Sequence, residues 1–335
     1  LGNRIQQNKW TVVTGWTPHW KFARWDLKYL EDPKGVFGGE EHIATIAREG
    51  LKEEMRKRMD TMLLYGTTTA EAKSGYGLDL ENEVKSLEVI KEMSEEHPID
   101  LVPTYLGAHS MPPEFNDTGE YIDHCIEEVL PVIKERDLAE FCDVFCEKGV
   151  FDAEESRRLL KKAQELGFKA KVHADEIENI GCSKMAGEIG SVSAEHLVKT
   201  SIDDIKSMVD NGTIGISLPG TPFMLMEEHY TPARRMIEEG MAIALATDLN
   251  PNCWTESMQM IITLACLQMK MEPEEALTAS TVNAAYAIDK EDVAILEKGY
   301  KADLLILDMP NIMHLPYHFG VNLVESVYKE GRKVV

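Results

Sequence analysis

Residues 139–176, AEFCDVFCEKGVFDAEESRRLLKKAQELGFKAKVHADE, decide the fold. Two short, largely apolar runs, 141–147 (FCDVFCE) and 169–175 (KAKVHAD), have the length and β-branched or aromatic character of strands. Between them, 153–166 repeats apolar residues at spacings of three and four with charged residues between, the period of an amphipathic helix. Gly167 stands where a left-handed helix cap is wanted. Two near-continuous apolar strands joined by a helix predict a parallel pair with the helix outside it.

Working outward, the same alternation begins near residue 41. Further strands are expected at 67–73, 99–107, 191–197, 213–218 and 242–248, and further helices at 81–96, 119–136, 201–210 and 231–239. Gly212 and Gly240 close helices as Gly167 does. That makes seven parallel strands where a closed barrel has eight. The expected class is therefore α/β, a (β/α)8 TIM-type barrel with its first strand missing from the count. The tail, 301–308 and 324–335, follows a helical run over 257–288 and reads as strands of a small β subdomain. The expected organisation is an irregular segment at 1–40, a barrel at 41–290 and C-terminal strands of a small β-sandwich at 291–335.

Residues 1–40 differ from the rest. Four of the five tryptophans (Trp10, Trp16, Trp20, Trp25) lie in the first 25 residues, which carry four basic residues and no acidic one. That stretch shows neither a sustained helical nor a strand period, and an aberrant or foreign start is favoured over a natural extension. The whole chain carries 35 basic and 58 acidic residues, a net charge of −23, which disfavours nucleic acid and anionic membranes as partners. No apolar run reaches the length needed to span a bilayer. Six sparse cysteines predict a reduced, cytoplasmic chain with no disulfide framework.

Strand ends carry the chemistry in such barrels. Here they end in Lys73-Ser74-Gly75-Tyr76-Gly77, Gly107-Ala108-His109, Asp143 to Glu147, His173-Ala174-Asp175-Glu176, Glu195-His196 and Thr247-Asp248-Leu249-Asn250-Pro251. One histidine at a strand end means little. Several histidines and carboxylates at the same end of successive strands suit a Zn²⁺ or Fe centre that activates water. His19, His42, His97, His124 and His229 are read as structural or surface residues, and His314 and His318 as packing between barrel and tail, because Pro316 argues against a helix there.

The runs KSGYGLDLENEV, PTYLGAHSMPPEF, DVFCEKGVF, KVHADE, SAEHL, ATDLNPN, STVNAAYA and HLPYHFGVNLV occur in this order. Together they resemble the imidazolonepropionases of the amidohydrolase superfamily, over about residues 51–335. The resemblance implies a barrel plus a β-sandwich, one Zn²⁺ or Fe ion, a small-molecule substrate and a homodimer. It implies opening of the ring of 4-imidazolone-5-propanoate by water to N-formimidoyl-L-glutamate. It makes His173 and Asp248 metal ligands. Glu176, His196 and Asp248 become catalytic residues. Tyr76, His109, Glu176, Asn250, Asn252 and Cys253 become substrate-binding positions, the last two on a weaker match. The family also carries an H-x-H ligand pair on the first barrel strand, followed by a substrate-binding arginine. No H-x-H occurs in these 335 residues. An inactive fragment, a metal-free pseudoenzyme, and another cyclic amide hydrolase or deaminase therefore stand as alternatives.

Overall fold

The computed structural model describes residues 43–335. The calls on residues 1–40, on His19 and on His42 lie outside the described residues. Seven strands form one parallel sheet in sequence order: β1 (Thr69–Lys73), β2 (Asp100–Ala108), β3 (Phe141–Cys146), β4 (Lys169–Ala174), β5 (Ser193–His196), β6 (Ile214–Ser217) and β7 (Ile243–Leu245). Each pairs with its neighbours in parallel register, for example Phe145 opposite His173 and His173 opposite Glu195. All seven lie within the stretches expected from the sequence, give or take a residue. The α/β barrel class holds. Among the described residues the sheet does not close, and β1 and β7 are its edges.

Helices lie between the strands in chain order, α1 (Arg48–Leu64) entering β1 and α2 (Leu80–Glu96) leaving it. Their ends follow capping rules. The Asp152 side chain accepts from the backbone N–H of Glu154 and Glu155, and Glu155 reaches back to complete a capping box ahead of helix 153–165. Ser201 and Asp204 do the same for helix 202–210. Gly167, Gly212 and Gly240 have φ of 91°, 73° and 88°, the left-handed cap that their place in the sequence predicts. The expected helix at 119–136 forms, with a π turn at Cys125–Val129 inside it. The tail gives a three-stranded antiparallel sheet of β8 (Leu304–Leu307), β9 (Val324–Lys329) and β10 (Arg332–Lys333). Lys301 and Lys329 tie it to the barrel through Asp100, with Nζ–Oδ2 distances of 2.9 and 2.7 Å.

The outer faces of β3, β4 and β5 carry Cys142, Val144, Ala170, Val172 and Ala194, all buried in the main core with Leu159, Leu160 and Phe151. The inner faces differ from the branched apolar filling usual in such barrels. Glu71, Lys73, Asp143, Lys171, His173 and Glu195 meet there instead.

Two expectations need correcting. Cys146 and Cys182 form a disulfide with Cα atoms 5.7 Å apart, so the six cysteines are not all reduced. Their separation of 36 residues hides the pair from any spacing argument. His314–Tyr317 is a short helix despite Pro316, with His314 Nε2 3.2 Å from His318 Nδ1. Leu315, not an imidazole, is the buried residue of that turn. His97 is buried, 3.2 Å from Asp60 Oδ1, and accepts from the Ile99 N–H.

Candidate active site

A cavity of about 1520 Å³ runs from the carboxyl ends of the strands along the open side between β1 and β7 to the tail sheet. Tyr76, His109, His173, Glu176, His196, Asp248, Asn250 and Asn252 all line it. The geometry brings these eight predicted residues together from five strand ends, and the ninth, Cys253, does not line the cavity.

The β1 loop is shaped by two glycines. Gly75 has φ of 123°, and a Cβ there would meet the Leu106 carbonyl oxygen at 2.8 Å. At Gly77 a Cβ would lie 2.5 Å from the Glu83 nitrogen. The buried Glu83 Oε1 accepts from the N–H groups of Gly75, Gly77 and Leu78 at 3.1, 2.7 and 3.1 Å. Tyr76 is thereby set against His109, with ring centroids 5.1 Å apart. Burial, and then the charges of Asp248 and Glu176, push the Tyr76 hydroxyl upward, so it stays a neutral donor. Burial, with His173 adding to it, holds His109 down at about 4.

β4 contributes His173 and, one turn of loop later, Glu176. The His173 ring lies between two carboxylates. Nδ1 is 3.0 Å from Asp143 Oδ2 and Nε2 is 3.4 Å from Glu195 Oε2. Burial opposes a charged imidazole, yet Asp143 and Glu195 outweigh it and lift His173 to about 9. Lys73 Nζ bridges the same two carboxylates at 2.8 and 2.7 Å and reaches Glu71 at 2.9 Å. The fully buried Lys171 pairs with Glu71 and lies 3.4 Å from Glu195. Three acids against two lysines leave this layer one positive charge short, and that charge is wanted at His173.

His196 closes β5, its Nδ1 3.6 Å from Glu176 Oε1 and its ring centroid 5.2 Å from that of His173. Burial raises the Glu176 carboxyl, and Asp248 adds to the rise, while His196 and His173 pull against it. Asp248 follows β7 and accepts from the Thr221 hydroxyl. Asn250 Nδ2 donates to the Asp248 carbonyl at 2.9 Å, and Asn250 Oδ1 accepts from the N–H of Asn252 and Cys253. The Cys253 thiol is buried, 3.6 Å from the Thr247 carbonyl oxygen. Asp175, His196 and Asp248 hold left-handed φ values of 52°, 65° and 52°. Non-glycine residues in that region cost about 1–3 kcal/mol each and gather at functional sites.

Among the described residues, Asp143, His173 and Glu195 offer ligand atoms within 4.8 Å of one another. His173 Nδ1 is buried and lacks a hydrogen bond of proper direction, although Asp143 is at ion-pair distance. A cation held by the neutral imidazole would supply the positive charge this layer lacks, so the donor set fits a metal ion in place of the His173 proton. Sequence reasoning picked out Lys73, Asp143 and Glu195 only as strand-end residues and missed Glu71 and Lys171. Their signal was present: charged residues at alternate positions of otherwise apolar, buried strands.

A barrel of this build, with histidines and acids at its strand ends and a cluster that could hold a metal ion, has the architecture of a hydrolase. The model described as the amidohydrolase family matches residues 41–334, and the chain belongs to that family. A second model, described as the substrate binding domain of ABC-type glycine betaine transport system, matches residues 1–71. Within the amidohydrolases the chain groups with the imidazolonepropionases. It is 51% identical over 290 residues to imidazolonepropionase of Alkaliphilus metalliredigens, covering 86% of this chain and 69% of that one. It is 49% identical over 312 residues to imidazolonepropionase of Streptococcus gordonii, covering 92% and 74%. Solved structures agree on the fold. The 5-methylcytosine deaminase of Klebsiella pneumoniae has a TM-score of 0.73 at 17% identity, over 90% of this chain and 78% of that one. A zinc-bound adenosine deaminase of Xanthomonas campestris has 0.69 at 16%, over 87% and 71%.

Proposed function

We propose that this chain is a hydrolase of histidine degradation that opens the ring of 4-imidazolone-5-propanoate with water, giving N-formimidoyl-L-glutamate. The observation that carries this reading is about 50% identity, over most of both chains, to proteins named imidazolonepropionase, joined to one cavity that gathers the matching residues. The deaminase likeness lies below 20% identity and speaks for fold alone.

In this reading His173 and Asp248 hold one Zn²⁺ or Fe ion. Lys73 bridges Asp143 and Glu195, and those two carboxylates flank and orient the His173 ring, as acids behind ligating histidines do. Such an ion supplies a water of lowered pKa and a Lewis acid for the carbonyl. The chain's own groups do the rest. Tyr76 and His109 bind the ring from one wall, while Asn250 and Asn252 meet the propanoate end from the other, with the buried Cys253 behind them. Glu176 or Asp248 takes a proton from the attacking water and returns it to the leaving ring nitrogen; burial raises the Glu176 carboxyl above its ordinary value, which favours its holding the proton between the two steps. His196 donates to the developing oxyanion. Two ligands hold a metal less tightly than the family's four, so saturation with added metal is part of the reaction as proposed. A cytoplasmic homodimer completes the reading.

The test is product identification: metal-supplemented protein incubated with 4-imidazolone-5-propanoate should yield N-formimidoyl-L-glutamate by mass spectrometry. His196→Ala should lower kcat about 10²–10³-fold with little change in KM. An unchanged kcat would remove His196 from the reaction, and absence of product from folded, metal-loaded protein would overturn the function.

A further inference from the structure

Glu176 sits on a loop, residues 175–181, between β4 and the helix Cys182–Glu188. A proton-transfer group on a loop needs something that fixes the loop. One side chain does most of this, and it comes from the neighbouring strand. Glu147, directly after β3, is 1% exposed. Its Oε1 accepts from the backbone N–H of Lys148 at 2.8 Å and of Glu178 at 3.0 Å, and its Oε2 accepts from the N–H of Ile177 at 2.9 Å. The two amides that follow Glu176 are thus both spent on one buried carboxylate 30 residues away in sequence. The residue before it, Cys146, is bonded to Cys182 at the far end of the same loop. On the other flank, the Asp175 side chain accepts from the Ser183 hydroxyl, and its carbonyl accepts from the Lys199 N–H at 2.8 Å. Glu147 lines no part of the cavity, so it does not touch what the cavity holds.

We propose that Glu147 is a positioning residue, holding Glu176 at its working distance from His196 through the backbone of residues 177 and 178. This rests on the function proposed above. A carboxylate is needed because three donors converge on two acceptor oxygens, and an amide would turn one acceptor into a donor facing an N–H. Misplacing a catalytic group by about 1 Å can cost on the order of a hundredfold in rate. The ground-state contacts of Tyr76, His109 and Asn250 with substrate are made from other elements, so the loss should fall on kcat rather than KM.

The experiment compares Glu147→Gln with wild type and with Glu178→Gln. The last removes an exposed ion pair to Lys148 in the same loop, 2.6 Å long, and leaves the backbone bonds intact. Two quantities are measured: steady-state kinetics on 4-imidazolone-5-propanoate with added metal, and amide hydrogen exchange at Ile177 and Glu178. Glu147→Gln should lower kcat about ten- to a hundredfold with KM within about threefold, and exchange at both amides should accelerate at least about tenfold. Glu178→Gln should match wild type in both. If Glu147→Gln does not fold, Glu147→Asp, which keeps the charge but retracts it, should show the same pattern in milder form. A kcat within about twofold of wild type with loosened amides, or unaltered amides in a variant of low kcat, overturns the proposal. Should wild type itself show no turnover, the functional reading fails, and exchange at residues 177 and 178 alone decides whether Glu147 holds the loop.

Discussion

The β3–β5 side of the barrel and its β7–β1 side are built to different standards. On the first, each strand is paired on both edges and almost every residue of β3, β4 and β5 is buried. On the second, all five residues of β1 are half-buried, and β1 and β7 each lack a partner on their outer edge among the described residues. The candidate site draws on both. His173, Glu176 and His196 rise from the doubly paired strands, while Tyr76 and Asp248 rise from the edges. The edge groups rely on local devices instead of sheet pairing: Glu83 gathers the amides around Tyr76, and Thr221 donates to Asp248. A strand held on both sides fixes a side chain through the sheet, whereas an edge strand must fix it through its loop.

The comparison can be broken or sharpened by substitution. Glu176→Gln should give the largest effect, a fall in kcat of about 10²–10⁴, with the fold intact by circular dichroism. Lys171→Met comes next. Lys171 is fully buried against Glu71 and Glu195, and its loss should cost about 3–5 kcal/mol in denaturant unfolding because an uncompensated charge remains. If the open side were equally tight, Leu305→Ala on β8 would cost as much as core leucines do, about 2–5 kcal/mol. Leu305 is 40% exposed, and the expected cost is below about 1 kcal/mol. Glu83→Ala should raise KM more than it lowers kcat, since it frees the Tyr76 loop without touching Glu176.

The smallest effect concerns the seam to the tail sheet. Burial would raise Asp100, but Lys329 and Lys301 outweigh it and hold its carboxyl below the usual range. A depressed carboxyl contributes stability that is complete above its unfolded pKa, about 3.9, and is lost as pH falls through the lower folded value. Asp100→Asn should therefore lower Tm slightly at neutral pH and by less in acid, where wild type has lost the same contribution.

Much of this was legible in the sequence because the strands are apolar on their outer faces and the helices carry their own caps. Apolar runs and helix period placed all seven strands, and the polar residues at their ends included Tyr76, His109, His173, Glu176, His196 and Asp248, which only the family resemblance singled out. What stayed hidden depends on three-dimensional register. Lys171 looks like a strand-entry residue until β4 is seen to turn it inward beside Glu71. Glu147 reads as one more strand-end acid until the β4 loop is found wrapped around it. The Cys146–Cys182 bridge joins residues that only parallel pairing of β3 and β4 brings together.

The central claim is that groups from separate strands meet around one cation. Anomalous diffraction from zinc-soaked crystals tests it most directly. The account predicts a single strong peak within coordination distance of His173 and Asp248, lost in His173→Ala. A peak placed elsewhere in the barrel, or none at saturating zinc, would contradict it.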